Sequence, residues 1–235
     1  MKVIVLCGGL GTRLGNLTYD TPKPAIIVAG RPFIAHVLDQ LLSANPDEFV
    51  LAVSFQWKKL QTTIGHQWRG VKVRYSVELG PLGTGGAILQ AMRQANVNEA
   101  LVANGDTLLK LDAATLVRFA YEHDADIAIA LKEMENISRF GKVRIDEASR
   151  IIAFEEKISG SSGLINSGLY YLRSSIFDGV DTPAFSLETE ILTRQYNRLR
   201  MYGMPTKGYF IDMGVPEDLA RAQQELTEMH GKTNV

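Results

Sequence analysis

Short apolar runs bounded by glycine, proline and polar turns alternate along the chain with stretches whose apolar positions recur three and four apart. Residues 3–6 form a continuous apolar run ended by glycines, the pattern of a strand covered on both faces. Pro32 opens a helical spacing in which Phe33, Val37, Leu38, Leu41 and Leu42 share one side, and Pro46 closes it. Residues 49–53 read as a second buried strand, 57–64 as a short helix stopped by Gly65, and 71–77 as a strand. A glycine-crowded helix over 83–95, a strand over 100–103, a helix over 111–123 and a strand over 127–131 continue the rhythm. Such alternation predicts an α/β protein, a Rossmann-like three-layer sandwich with a mostly parallel central sheet. Beyond residue 131 the pattern changes. Strands over 141–145, 151–154 and 169–172 follow in quick succession, then helices over 187–196 and 217–229, with strand character over 201–211 between them.

In open α/β sheets ligands sit beyond the carboxyl ends of the strands. Residues 8–13, 80–86 and 104–106 each follow a predicted strand, so all three are expected along one edge. The first of these, Gly8-Gly9-Leu10-Gly11-Thr12-Arg13-Leu14, is neither common nucleotide motif. Leu14 stands where the dinucleotide fingerprint needs its third glycine, and no Gly-Lys-Ser/Thr occurs. A glycine turn alone reads as a tight connection. Arg13, and Lys23 clamped between Pro22 and Pro24, add two cations beside main-chain amides that glycine leaves open to an anion. Asp106 reads either as a turn aspartate or as a ligand to a hard cation. Asp212, bracketed by apolar residues and glycine, is a carboxylate of the kind seldom buried unless paired or metal-bound.

Composition narrows the field. A formal net charge of −1 gives no basic field for polymeric nucleic acid, so no nucleic acid partner is expected. The lone Cys7 allows no internal disulfide and fits a reducing compartment. No apolar run approaches the ~20 residues of a membrane span, so a cytoplasmic protein without a membrane partner is expected. No coiled-coil heptad or obvious interface segment indicates an oligomeric state. The four histidines share no metal spacing.

The turn at residues 8–14, followed by Thr-Pro-Lys-Pro at 21–24 and Gly-Arg-Pro at 30–32, resembles the signature of the sugar-1-phosphate nucleotidyltransferases. Further matches follow in order: PLGTGGAI at 81–88, NGD at 104–106, FEEK at 154–157, NSGLYYL at 166–172 and FIDMGVPEDL at 210–219. The resemblance spans nearly the whole chain and implies a single nucleotide-diphospho-sugar transferase domain over 1–235. Its nucleotide-binding half would be mainly 1–130, and its sugar-phosphate half mainly 131–235.

By this resemblance Arg13 and Lys23 are catalytic, and Leu6, Gly8, Gly9, Gly11, Thr12, Glu78, Gly83 and Thr84 bind the nucleotide. Gly105, Gly141, Glu156, Lys157, Asn166 and Gly168 bind the sugar phosphate, and Asp106 and Asp212 hold Mg2+. Relatives often have proline after the lysine matched by Lys157; here it is Ile158. A carboxylate at Glu78 suits the N1–H and amino group of guanine, yet uridylyltransferases use similar loops. The elements TPKP, PLGTGGAI, FSLE at 185–188 and FIDMGVPED most resemble the D-glycero-α-D-manno-heptose 1-phosphate guanylyltransferases. That implies GTP and a heptose 1-phosphate as substrates. The rivals are mannose-1-phosphate guanylyltransferases and muramate- or hexose-1-phosphate uridylyltransferases. A non-catalytic nucleotide-sugar-binding regulator is the competing class; such proteins typically lose a cation or metal carboxylate that this chain keeps.

Overall fold

The computed structural model describes residues 1–9, 11–156 and 162–233. The first half holds β1 (Lys2–Leu6), β2 (Ile27–Val28), β3 (Arg31–Pro32), α1 (Phe33–Leu41), β4 (Glu48–Val53), α2 (Trp57–Ile64), β5 (Gln67–Trp68), β6 (Val71–Val77) and α3 (Gly83–Ala95). There follow β7 (Glu99–Asn104), β8 (Thr107–Leu109), α4 (Ala113–Glu122), β9 (Ile127–Met134), β10 (Lys142–Ile145) and β11 (Ile151–Glu155). β12 (Gly163–Arg173), β13 (Met201–Thr206), β14 (Phe210–Asp212) and α5 (Pro216–Thr233) complete the chain.

The centre of the main sheet is parallel, in the order β6-β4-β1-β7. β12 runs antiparallel between β7 and β9, and β13 lies parallel to β9. The β10–β11 hairpin adds to the start of β12, and β5 closes the opposite edge. Alternation along β1 divides the core between the two faces. Val3 and Val5 pack with α1, α2, α4 and α5 residues such as Phe33, Leu60, Leu116 and Leu226. Ile4 packs with Ile88, Met92, Leu187 and Ile191 on the other face. Tyr171 and Tyr170 split in the same way. Each such buried side chain contributes roughly 1.5–3 kcal/mol relative to exposure. The expected three-layer α/β architecture is present, and within the main sheet antiparallel pairing is confined to the late strands and the β5 edge.

The pattern reading falls short where polar residues interrupt the period. β12 begins six residues before the expected 169–172, because Asn166-Ser167-Gly168 breaks the apolar run where its ladder to β9 shifts register. The strand character over 201–211 belongs to two strands: β13 joins the main sheet, and β14 pairs with β8 in a separate ribbon. Gly208 lies between them, and a Cβ there would fall 1.9 Å from the Lys110 carbonyl oxygen. The β2–β3 ribbon turns through Ala29 and Gly30 at φ 50° and 78°, a two-residue hairpin turn whose strands are too short for alternation to register. Residues Leu187–Thr193 wind as a π-helix rather than an α-helix. Among the described residues no helix is long and apolar enough to cross a membrane.

Candidate active site

The parallel strands β1, β4, β6 and β7 release their chains at one edge, where they surround a cavity of about 530 Å³. Leu6, Gly8 and Gly9 from the end of β1, Lys23, Glu78, Gly83, Thr84 and Asp106 are among the residues that line it. Gly8 is held by a hydrogen bond from Ser54 Oγ to its carbonyl, 2.6 Å, and a Cβ there would stand 2.6 Å from Glu78 Oε1. Gly11 has φ +64°, and a Cβ would press on Thr18 Cγ2 at 2.7 Å. Thr18 Oγ1 in turn donates to the Gly11 and Gly15 carbonyls, each at 3.1 Å. Ser54 thus holds the turn at Gly8, and Thr18 packs it at Gly11. Thr12 and Arg13 follow on a 3-10 turn over Thr12–Thr18, with Arg13 exposed.

Lys23 opens a short 3-10 turn, Lys23–Ala25, between Pro22 and Pro24, and is only 7% exposed. Its ammonium donates to Asp106 Oδ2 at 2.5 Å. Asp106 stands between β7 and β8, and its carbonyl accepts from Met213 N at 3.0 Å. The β14–β8 register sets Asp212 opposite Thr107, beside Asp106. Burial first, and then the Asp106 charge, push the Asp212 carboxyl above its ordinary range. The structure thus sets the Asp212 carboxylate beside the Lys23–Asp106 pair that lines the cavity. Gly105 explains how they fit, since a Cβ would meet the Leu6 carbonyl oxygen at 2.7 Å and Cys7 Sγ at 2.9 Å. Burial pushes the Cys7 thiol far up, leaving it protonated and inert as a nucleophile.

The second glycine loop owes its glycines to packing as well as to the cavity. At Gly83, Gly85 and Gly86 an added Cβ would stand 2.5 Å from the Phe185 carbonyl oxygen, 2.2 Å from the Phe185 ring and 2.2 Å from the Pro183 carbonyl oxygen, respectively. Glu78, at the end of β6, accepts from Leu82 N at 3.3 Å, and burial raises its carboxyl pKa.

The sugar-side candidates line up by register. Lys142 pairs with Glu155 on one side and Ile165 on the other, so Gly141, Glu156 and Asn166 follow side by side, one residue on. Leu169 pairs with Ala103, which brings Gly168 alongside Asn104 at the carboxyl end of β7. Asn166 Nδ2 donates to the buried Tyr170 hydroxyl at 2.8 Å, and its Oδ1 accepts from Gly168 N at 2.9 Å. Lys157 lies outside the described residues.

Gly168 has φ +77°, and a Cβ there would sit 2.5 Å from Asn104 Nδ2. Gly168→Ala is expected to cost about 1–3 kcal/mol through that conformation and contact. Denaturant unfolding reads the loss directly, and unchanged stability would mean that the loop relaxes freely.

The Nucleotidyl transferase family model matches residues 2–229. The chain belongs to this family. It is 40% identical to the D-glycero-alpha-D-manno-heptose 1-phosphate guanylyltransferase of Campylobacter jejuni, covering 93% of this chain and 96% of that protein. It is 36% identical to the enzyme of that name from Aneurinibacillus thermoaerophilus, over 96% of this chain and 98% of the other. The structure of HddC from Yersinia pseudotuberculosis complexed with GMP-PN superposes with a TM-score of 0.83 at 32% identity, over 96% and 99% of the two chains.

As a sugar-1-phosphate nucleotidyltransferase the protein takes a nucleoside triphosphate and a sugar 1-phosphate. Enzymes of this family generally use a divalent metal. Asp106 and Asp212 fit one. A hard cation bound by one or two carboxylates, with substrate phosphates completing its shell, needs no larger protein cage. Among the described residues no cluster of three or more histidine, cysteine or acidic ligands exists.

Ser54 and Phe55, which follow β4, and the fully exposed Leu79 also line the cavity of this nucleotidyltransferase, and no local motif marks them. The rule that places ligands beyond strand ends applies to β4 as well and was the signal available.

Proposed function

We propose that this protein transfers GMP from GTP to D-glycero-α-D-manno-heptose 1-phosphate, with Mg2+ as its metal. The observation that carries the reading is the Lys23–Asp106 pair at a cavity lined by Gly8 and Gly9, with Asp212 beside it. The full-length match to two heptose 1-phosphate guanylyltransferases supports the sugar, and the GMP-PN-bound relative supports the base.

In this reading a phosphate oxygen of the sugar 1-phosphate attacks the α-phosphorus of GTP in line. The bond to the bridging oxygen breaks, and pyrophosphate leaves. Two polyanions must approach, so catalysis is chiefly positioning and charge stabilisation. Main-chain amides of the first glycine turn and Arg13 hold the β- and γ-phosphates. Lys23 steadies charge developing at the α-phosphate, since its buried ammonium is confined to the cavity and a phosphate oxygen can compete with Asp106 for it. Asp106 and Asp212 would hold Mg2+, which supplies charge neutralisation when bound. No general base is required, because the attacking phosphate is already ionised near neutral pH. Glu78 accepts from the guanine edge, and Glu156, Lys157, Asn166 and Gly168 hold the sugar phosphate. The 1–130 half serves mainly the nucleotide and the 131–235 half the sugar, within one domain in the cytoplasm.

Pyrophosphate release, measured for four nucleoside triphosphates against heptose, mannose, glucose and muramate 1-phosphates, tests the reading. The highest kcat/KM is expected for GTP with the heptose. A higher value for mannose 1-phosphate, or for UTP, would overturn the assignment of sugar or base.

A further inference from the structure

The second glycine loop contains little that could fix its own shape. From Leu79 to Ala87, Thr84 carries the only polar side chain, and the glycines allow wide backbone freedom. What restrains the loop comes from a distant part of the chain. Phe185 N donates to the Leu82 carbonyl at 2.8 Å, and Gly85 N and Gly86 N donate to the Phe185 carbonyl at 3.0 and 3.3 Å. Leu187 N donates to Thr84 Oγ1 at 2.9 Å. The Thr84 hydroxyl then donates its single proton to Glu188 Oε2 at 2.6 Å, and Ser186 Oγ donates to the same oxygen at 2.9 Å. With that proton given to Glu188, Thr84 has none left for a base. One of its lone pairs also accepts from Leu187 N, so the side chain anchors the wall.

We infer that Glu188 is a positioning residue for the nucleotide: it locks Thr84, and through it the loop that walls the cavity, in the shape that GTP selects. The inference rests on the proposed nucleotide site. Three features make Glu188 the keystone of the contact. Its carboxylate is the one ionised group in the strap 183–188, and hydrogen bonds to a charged acceptor are stronger than neutral ones. It stands against the first turn of α3, where negative charge is favoured by the helix dipole. It also lies in the first turn of a π-helical stretch, Leu187–Thr193, where the hydroxyls of Thr84 and Ser186 converge on its Oε2. The glycines at 83, 85 and 86 belong to the same device, since each is the size that lets the strap close onto the loop.

Glu188→Ala is expected to raise the KM for GTP, and its Kd by calorimetry, about tenfold, the loss of one hydrogen bond to a charged group. kcat and the KM for the sugar 1-phosphate should stay within about twofold. Glu188→Gln keeps an acceptor oxygen for both hydroxyls and should recover most of the loss. Binding of GTP measured directly separates this inference from the reading beneath it. Wild-type protein that binds GTP but releases no pyrophosphate with any sugar 1-phosphate overturns the reaction and leaves Glu188 testable. Wild-type protein that does not bind GTP overturns the nucleotide assignment, and the inference with it. A folded Glu188→Ala protein with unchanged GTP affinity, or one whose GTP and sugar parameters fall equally, overturns the positioning role.

Discussion

Lys23→Ala should lower kcat by ~10²–10³ while leaving the protein folded, the scale of removing one preorganised charge contact from an active site. The residue is held unusually well for a lysine. Pro22 and Pro24 fix the backbone on both sides, the Ala25 amide closes the turn on the Pro22 carbonyl at 2.8 Å, and the Cβ lies against Gly11. A surface lysine loses about 2 kcal/mol of rotamer entropy when it is ordered. Here the fold has already met that cost, so the ammonium meets a phosphate without further ordering. The variant also leaves Asp106 without its cation. Its remaining activity should therefore saturate at less divalent metal than wild type, because Asp106 and Asp212, freed of the ammonium, form a more negative site for the cation. Steady-state kinetics across a metal titration tests both effects. Near wild-type turnover at every metal concentration would remove Lys23 from the chemistry.

The sequence carried the parallel half of the fold because its strands are apolar on both faces and end in glycine or turn residues. The periodicity of residues 3–6, 49–53 and 100–103 needs no tertiary information to be read. The late strands were legible only in part. Residues 163–168 have the composition of a loop, and they form a strand because β9 and β10 flank them with open ladders. The same limit applies to the site. Gly8, Lys23 and Asp106 were visible because their local chemistry is unusual for a strand end. Ser54 and Phe55 look like any strand-to-helix connection, and nothing at 185–188 marks Glu188 as a partner of Thr84, some hundred residues away. The resemblance marks Gly83 as a nucleotide contact; in the structure Gly83, Gly85 and Gly86 each make room for Phe185 or Pro183. Such contacts are fixed by the packing of distant segments, which local pattern does not encode.

The second large effect concerns Asp212, where activity and stability should part. Asp212→Asn is expected to reduce turnover at least 10²-fold, since a neutral amide is a poor ligand for a hard cation. In metal-free buffer at neutral pH, however, the same variant should unfold at a higher temperature than wild type. The reason lies in linkage. The Asp212 carboxyl titrates above its unfolded value, because burial and then the Asp106 charge disfavour its ionised form. Between the unfolded and folded pKa values the native state binds more protons, so stability falls as pH rises through that window and stays lower above it. The asparagine variant carries no such charge and escapes the loss. Below the unfolded pKa the two proteins should converge, because Asp212 is then protonated in both states. Adding divalent metal should reverse the order at neutral pH, stabilising wild type by binding only its native state. Thermal unfolding of both proteins at acid and neutral pH, with and without metal, gives four comparisons. A variant less stable than wild type in metal-free neutral buffer would mean that Asp212 already has a compensating cation within the protein. In that case Lys23 and Arg139, whose charges both favour the ionised Asp212, would outweigh its burial.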